Sequence, residues 1–155
     1  MINNDVLRRI RNTFLYSDAQ IVAIFAQAEH AVSMEQAANW LENNNKPGYQ
    51  FIPDIDLAAF LNGFINFKRG KKDGPQPKPE EELNPNIIFR KLKIAFNLQA
   101  EDVLEILETE GLELTKRELS AFFRNPDHKH YKKCHEAICW AFVKGLKAKF
   151  GEESE

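Results

Sequence analysis

The chain is poor in the features that mark several functional classes. Its strongly apolar runs, such as Ile21-Val-Ala-Ile-Phe-Ala26, are short, where a bilayer-spanning helix needs ~20 residues. The opening, Met1-Ile-Asn-Asn-Asp5, has no basic stretch followed by an apolar one, so a secretory signal is not expected. There are two cysteines, Cys134 and Cys139. They fall within what reads as one helix, a poor disulfide geometry that fits a reducing compartment. The expectation is therefore a cytoplasmic protein with no membrane partner. A net charge of −2 supplies no general attraction to nucleic acid or anionic lipid, so any such partner would need a local basic surface. GxSxG, HExxH and a phosphate-cradling glycine loop are all missing.

What is present is a repeat. When the chain is slid along itself so that Asn4 falls on Asn86, residues 4–64 and 86–146 align without a gap. Identities include Arg8/Arg90, Phe14/Phe96, Ile24/Ile106, Asn43/Asn125, Tyr49/Tyr131, Phe60/Phe142 and Gly63/Gly145. The substitutions are more telling. Val6/Ile88, Ile10/Leu92, Phe25/Leu107, Trp40/Phe122 and Phe64/Leu146 keep their apolar character while surface positions drift, which is the residue of a duplication.

Each copy contains four helical segments. Val6, Leu7, Ile10 and Phe14 share one helical stripe. Ser17-Asp-Ala-Gln20 and Ser33-Met-Glu-Gln36 offer capping boxes for the second and third helices, and Thr115-Lys-Arg-Glu118 repeats the device with other residues. Pro53-Asp54 suits the opening of the fourth helix. Four one-sided helices can close a small core, but a unit of this size is marginal alone because chain ordering offsets the burial. The reading is an all-α fold: a tandem duplication of a small four-helix unit, the two units packed with pseudo-twofold symmetry. Helical repeat 1 covers 1–69 and helical repeat 2 covers 86–150. A Pro/Gly/charged linker (70–85) joins them, and an acidic tail (151–155) is expected to fray. Ile94, apolar where the first copy has Asn12, is expected to face the other repeat.

Asn4-Asp-Val-Leu-Arg-Arg-Ile-Arg11, Phe60-Leu-Asn-Gly-Phe-Ile65 with Lys68-Arg-Gly70, and Pro126-Asp-His-Lys129 resemble the YehS-type bacterial proteins, which carry a duplicated domain of unknown function (number 1456). The resemblance spans nearly the whole chain. It implies a bacterial, cytoplasmic protein with two all-helical domains, and it brings no activity and no catalytic residue.

Candidate sites must therefore come from the residues. His128, His130, Cys134, His135 and Cys139 crowd together in sequence, and these are residue types that bind zinc. The repeat argues otherwise: Cys134 stands on Ile52 and Cys139 on Leu57, and no histidine is shared. Cysteine at an apolar position behaves as a small core residue. No metal, cofactor or catalytic residue is expected. A basic surface is the next candidate. Arg8, Arg9 and Arg11 are repeated as Arg90, Lys91 and Lys93 on the first helix of each copy, and Lys68 and Arg69 end the fourth helix. Such a doubled surface could contact phosphates at two places. Gly63 and Gly145, inside helices where glycine costs about 0.5–1 kcal/mol, point to close helix packing or to a pocket between the units. The leading expectation is a non-enzymatic binding or adaptor protein acting through protein contacts. The rival is a nucleic-acid-binding regulatory protein using the doubled helix-one surface. The sequence does not fix the oligomeric state.

Overall fold

The computed structural model describes residues 1–151, and among them all regular structure is helical. The first repeat contains α1 (Asn3–Phe14), α2 (Asp18–Gln27), α3 (Met34–Leu41) and α4 (Asp54–Arg69). The second contains α5 (Pro85–Ala95), α6 (Ala100–Thr109), α7 (Lys116–Phe122) and α8 (Glu136–Phe150). Among the described residues no helix is long and apolar enough to cross a membrane. Beyond Gly151, the tail expected to fray lies outside the described residues.

Local chemistry fixes where the helices begin. The Ser17 hydroxyl accepts from the Gln20 amide at 3.1 Å while the Gln20 side chain accepts from the Ser17 amide at 2.8 Å. Thr115 and Glu118 form the same reciprocal pair, both bonds at 3.0 Å. Ser33 makes only half of it, accepting from the Gln36 amide at 3.0 Å, and the Gln36 side chain reaches to Gln50, donating to its side-chain oxygen. Asn84 caps α5 through the Ile87 amide at 2.9 Å, with Pro85 in the first turn. Each such bond satisfies an amide that the helix itself leaves orphaned, worth about 0.5–2 kcal/mol. The cap on α8 comes from His135, whose Nδ1 accepts from the Ala137 amide at 3.1 Å.

Within each repeat the second helix lies against the fourth, α2 on α4 and α6 on α8. The two glycines permit this. A Cβ at Gly63 would collide with the Ile24 carbonyl oxygen of α2. At Gly145 it would lie 2.6 Å from the Ile106 Cγ2 and 3.0 Å from the Ile106 carbonyl oxygen. Close approach between helices of one repeat is thus the reason for both glycines.

The repeats interlock by exchanging their first helices. α1 lies along α8 and α5 along α4, a reciprocal arrangement with pseudo-twofold symmetry. The polar contacts obey the same symmetry. Arg9 donates to the Lys144 carbonyl at 3.1 Å, and its counterpart Lys91 donates to the Asn62 side-chain oxygen at 2.6 Å, Asn62 being the counterpart of Lys144. At the centre Phe14 stacks on Phe96, its own counterpart, with ring centroids 5.7 Å apart. Phe64 and Phe150 extend the cluster at 5.5 and 4.5 Å from Phe96. Ile94 is 37% exposed, and its carbonyl accepts from Arg69 of the first repeat at 3.2 Å, so it lies at the edge of the seam beside the aromatic cluster.

Candidate interaction surfaces

Each repeat has a long connection before its fourth helix, and one buried asparagine holds it. The Asn4 side-chain amide donates to the Trp40 and Gln50 carbonyls at 2.8 and 2.9 Å, and its oxygen accepts from the Ile52 amide at 3.2 Å. Asn86 does the same with Phe122 (3.0 Å), Lys132 (2.9 Å) and Cys134 (2.8 Å). Both amide protons and the carbonyl of the side chain are used, so the connection is tied to the start of the first helix and the end of the third. Its backbone is further held by Gln50 to Asn39 in one copy and Lys132 to Ala121 in the other.

The expected doubled basic surface of the first helices is largely drawn into the fold. Arg8 donates to the Glu42 carbonyl at 2.7 Å and pairs with Asp5 at 2.9 Å. Arg9 and Lys91 bridge the repeats, and Lys91 also pairs with Glu80 at 3.0 Å. Arg11 pairs with Asp18 at 3.2 Å. Lys93 lies over the Phe123 ring at 5.2 Å and Lys68 over Phe14 at 4.5 Å, while Arg69 donates to the Ile94 carbonyl at 3.2 Å. Among the described residues Arg90, alone of these eight, stays exposed without a bonding partner.

The cysteine and histidine cluster disperses. Cys134 and Cys139 are free and buried. Burial pushes the Cys134 thiol up from 9.0 to about 11. It drives Cys139 higher still, with Cys134 and Glu136 adding repulsion of the thiolate. Both are neutral thiols at physiological pH, the opposite of an activated nucleophile. His128 and His130 sit on the surface with ring centroids 5.6 Å apart, and His135 is occupied in capping. Among the described residues no three His, Cys, Asp or Glu side chains converge as a metal site would require.

Two outer faces remain, at equivalent places in the two repeats, on the third helix and the connection that follows it. In the first repeat Met34 at the start of α3, Phe51 in the connection and Ile55 in the first turn of α4 are exposed. In the second the same positions hold Lys116, Lys133 and Ala137. There a concavity of about 320 Å³ is lined by Arg117, Glu118, Ala121, Arg124, His130 and Lys132. The cavity beside Gly145, about 170 Å³, lies between α6 and α8 of one repeat, not between the units.

Residues 3–70 and again 85–150 match the family model described as a protein of unknown function (DUF1456). This chain belongs to the DUF1456 family. It is 38% identical over 150 residues to the uncharacterized protein YehS of Escherichia coli (strain K12), with 96% of each chain covered. No solved structure matches it. The two DUF1456 matches each take in one complete set of four helices and leave out the segment between them.

The motifs that carry the family resemblance have structural work in this DUF1456 chain. Asn4 clamps, Arg8 and Arg9 brace, and Gly63 admits α2. Pro126 and His128 lie in the clamped connection of the second repeat. The basic face around Arg117 and Arg124 escapes a search for shared residues because it is not shared. Glu35 and Glu42 stand at the equivalent places, and a scan for reversed charge between the copies would have found it.

Proposed function

We propose that this protein is a non-enzymatic binding module acting through contacts with another protein, made by the α3 face of its first repeat. The observation that carries the reading is the exposure of Phe51 (54%) and Met34 (51%), with Ile55 following Phe51 in the first turn of α4, in a chain that otherwise buries most of its phenylalanines. The second repeat builds the same backbone with Lys133, Lys116 and Ala137, so the fold itself does not require apolar residues there. Exposed aromatic and methionine side chains are the usual anchors of protein interfaces. With Glu35 exposed on the same helix, the partner would present an apolar side chain and a basic rim. Neutral, buried cysteines and scattered histidines support a role without chemistry. The doubled helix-one surface has little support as a nucleic-acid site, since all of its charges except Arg90 are engaged within the fold.

The test is capture of partners from the native host, with and without nuclease, using the wild-type chain and the variant Met34→Lys with Phe51→Lys. These are the residues that the second repeat tolerates at the same places. A nuclease-resistant partner that binds the wild type, rebinds it when both are purified, and is lost by the variant would support the proposal. Equal capture by both, or loss of every partner to nuclease, would overturn it.

A further inference from the structure

The second repeat carries a different surface, and it goes beyond the protein-binding reading. Arg90, Arg117, Arg124, Lys129, Lys132 and Lys133 are all exposed, and among the described residues none makes a side-chain hydrogen bond or close ion pair. Of these, Lys132 sits near a carboxylate, Glu118, whose charged form it favours. Unpaired cations on a helix are common as a solvated face. Three features set this group apart.

The first is its shape. Arg117, Arg124 and Lys132 line one concavity with His130. Arg124 also borders a neighbouring hollow that includes Arg90 and Tyr131. Among the described residues one carboxylate lines the first concavity, Glu118, which accepts from the Thr115 amide in its capping box and offsets one cation, Lys132, leaving Arg117 and Arg124 uncompensated.

The second is the comparison with the other repeat. Arg117 and Arg124 replace Glu35 and Glu42, Lys132 replaces Gln50, and Lys129 replaces Pro47. The same backbone is built with acids, so these cations are not needed to fold it. Arg90 shows the same release. Its twin Arg8 is held by Asp5 and by Asn44 at 3.0 Å, and those two positions have become Ile87 and Pro126. An identical residue that braces the first repeat has been freed in the second.

The third is rigidity. Asn86 fixes the connection through the Lys132 carbonyl and Cys134 amide, and the Asn125 side chain accepts from the Asp127 amide at 2.9 Å. His130 donates its amide to the His128 ring at 3.0 Å. A preformed site loses less freedom on binding.

We propose that this face, spanning Arg117, Arg124, Lys132 and Arg90, binds the phosphodiester backbone of a nucleic acid. Arginine forks match phosphate oxygens in pairs, and several cations spread over an open hollow fit successive phosphates better than one small anion. An acidic protein is the competing partner. It is disfavoured because none of the large exposed apolar side chains lies between Lys116 and Lys133, so the face lacks the apolar centre that protein interfaces carry. No residue pattern here reads bases, so binding is independent of sequence.

The experiment is fluorescence anisotropy of a short labelled DNA duplex, and of a single-stranded RNA of equal length, with the purified full chain. If about five phosphates are engaged, raising salt from about 50 to 200 mM should weaken binding ~500-fold. The variant Arg117→Glu, Arg124→Glu, Lys132→Gln takes the first repeat's residues, so its thermal transition should stay at the wild-type temperature. It should bind at least ~100-fold more weakly at low salt, with a salt slope shallower by ~3. A control with the same change in net charge, Lys72→Glu, Lys78→Glu, Lys147→Gln, should bind within a few-fold of the wild type. Absence of wild-type binding at low salt overturns the proposal, as does an equal loss in the control. Competition by polyglutamate as strong as that by unlabelled DNA of equal charge would assign the face to an acidic protein and overturn it too. Phe51→Lys leaves this binding intact, so the result stands apart from the fate of the protein-partner reading.

Discussion

Replacing Asn86 with alanine tests the clamp on which the second repeat's outer face depends. The side chain makes three hydrogen bonds in a buried setting: to the Phe122 carbonyl at 3.0 Å, the Lys132 carbonyl at 2.9 Å, and from the Cys134 amide at 2.8 Å. Each is worth about 1 kcal/mol net, and a backbone group left dry without a partner costs about 1–3 kcal/mol. A loss of about 3 kcal/mol is therefore expected. For a chain of this size that lowers the melting temperature by roughly 6–12 °C. Urea denaturation measures the energy, and hydrogen exchange at the Cys134 amide reports whether the connection has come loose. Asn86→Asp separates bonding from shape. It keeps an acceptor for Cys134 but turns an oxygen on two carbonyl oxygens, so it should cost at least as much as alanine. An aspartate variant of wild-type stability, or an alanine variant losing less than about 1 kcal/mol, would show that the asparagine merely fills space.

Gly63→Ala should destabilise by about 2 kcal/mol, overpacking outweighing the gain in helix propensity, because its methyl group meets the Ile24 carbonyl. Gly145→Ala should cost less, since its nearest obstacle, the Ile106 Cγ2, can move; equilibrium denaturation ranking them the other way would contradict this packing. Phe96→Ala, at a partly buried position, should cost about 2 kcal/mol and still leave one cooperative transition by calorimetry, as α1 and α5 are seated on the opposite repeat; two separate melts would refute the interlock. Cys134 and Cys139 should resist thiol reagents in native protein and react on unfolding. Because burial raises the Cys134 value in the folded state, the neutral thiol's contribution is complete below pH 9, and stability should fall as the pH rises from about 9 towards about 11. A stability that is flat across that window in a pH series of urea melts would contradict it.

Apolar spacing and caps made the helices legible, since both are local. Ser17, Thr115 and Asn84 sit where their chemistry places them, and the paired glycines announced a close approach that the helices do make. The basic first-helix positions were misleading for a physical reason. Arg8, Arg9 and Lys91 lie off the apolar stripe, and nothing local says that a carbonyl from a loop or from the other repeat will come to meet them. Ile94 is only partly covered: hydrophobicity shows that a residue can be covered and not what stands above it. The basic face of the second repeat was recorded in the alignment of the copies, but in the reversals Glu35/Arg117 and Glu42/Arg124 instead of the identities. Similarity reports what the fold needs, so what it leaves free must be read from divergence.

The stacking of Phe14 on Phe96 has a further consequence. A dimer of separate, identical subunits meets itself across such an axis, and any residue placed on one half appears unavoidably on the other. Joining the halves through residues 70–85 removes that obligation. One flank is free to become greasy while the opposite flank becomes cationic, and the tether that looks like mere slack is what allows a symmetric frame to point two unlike faces at the cell.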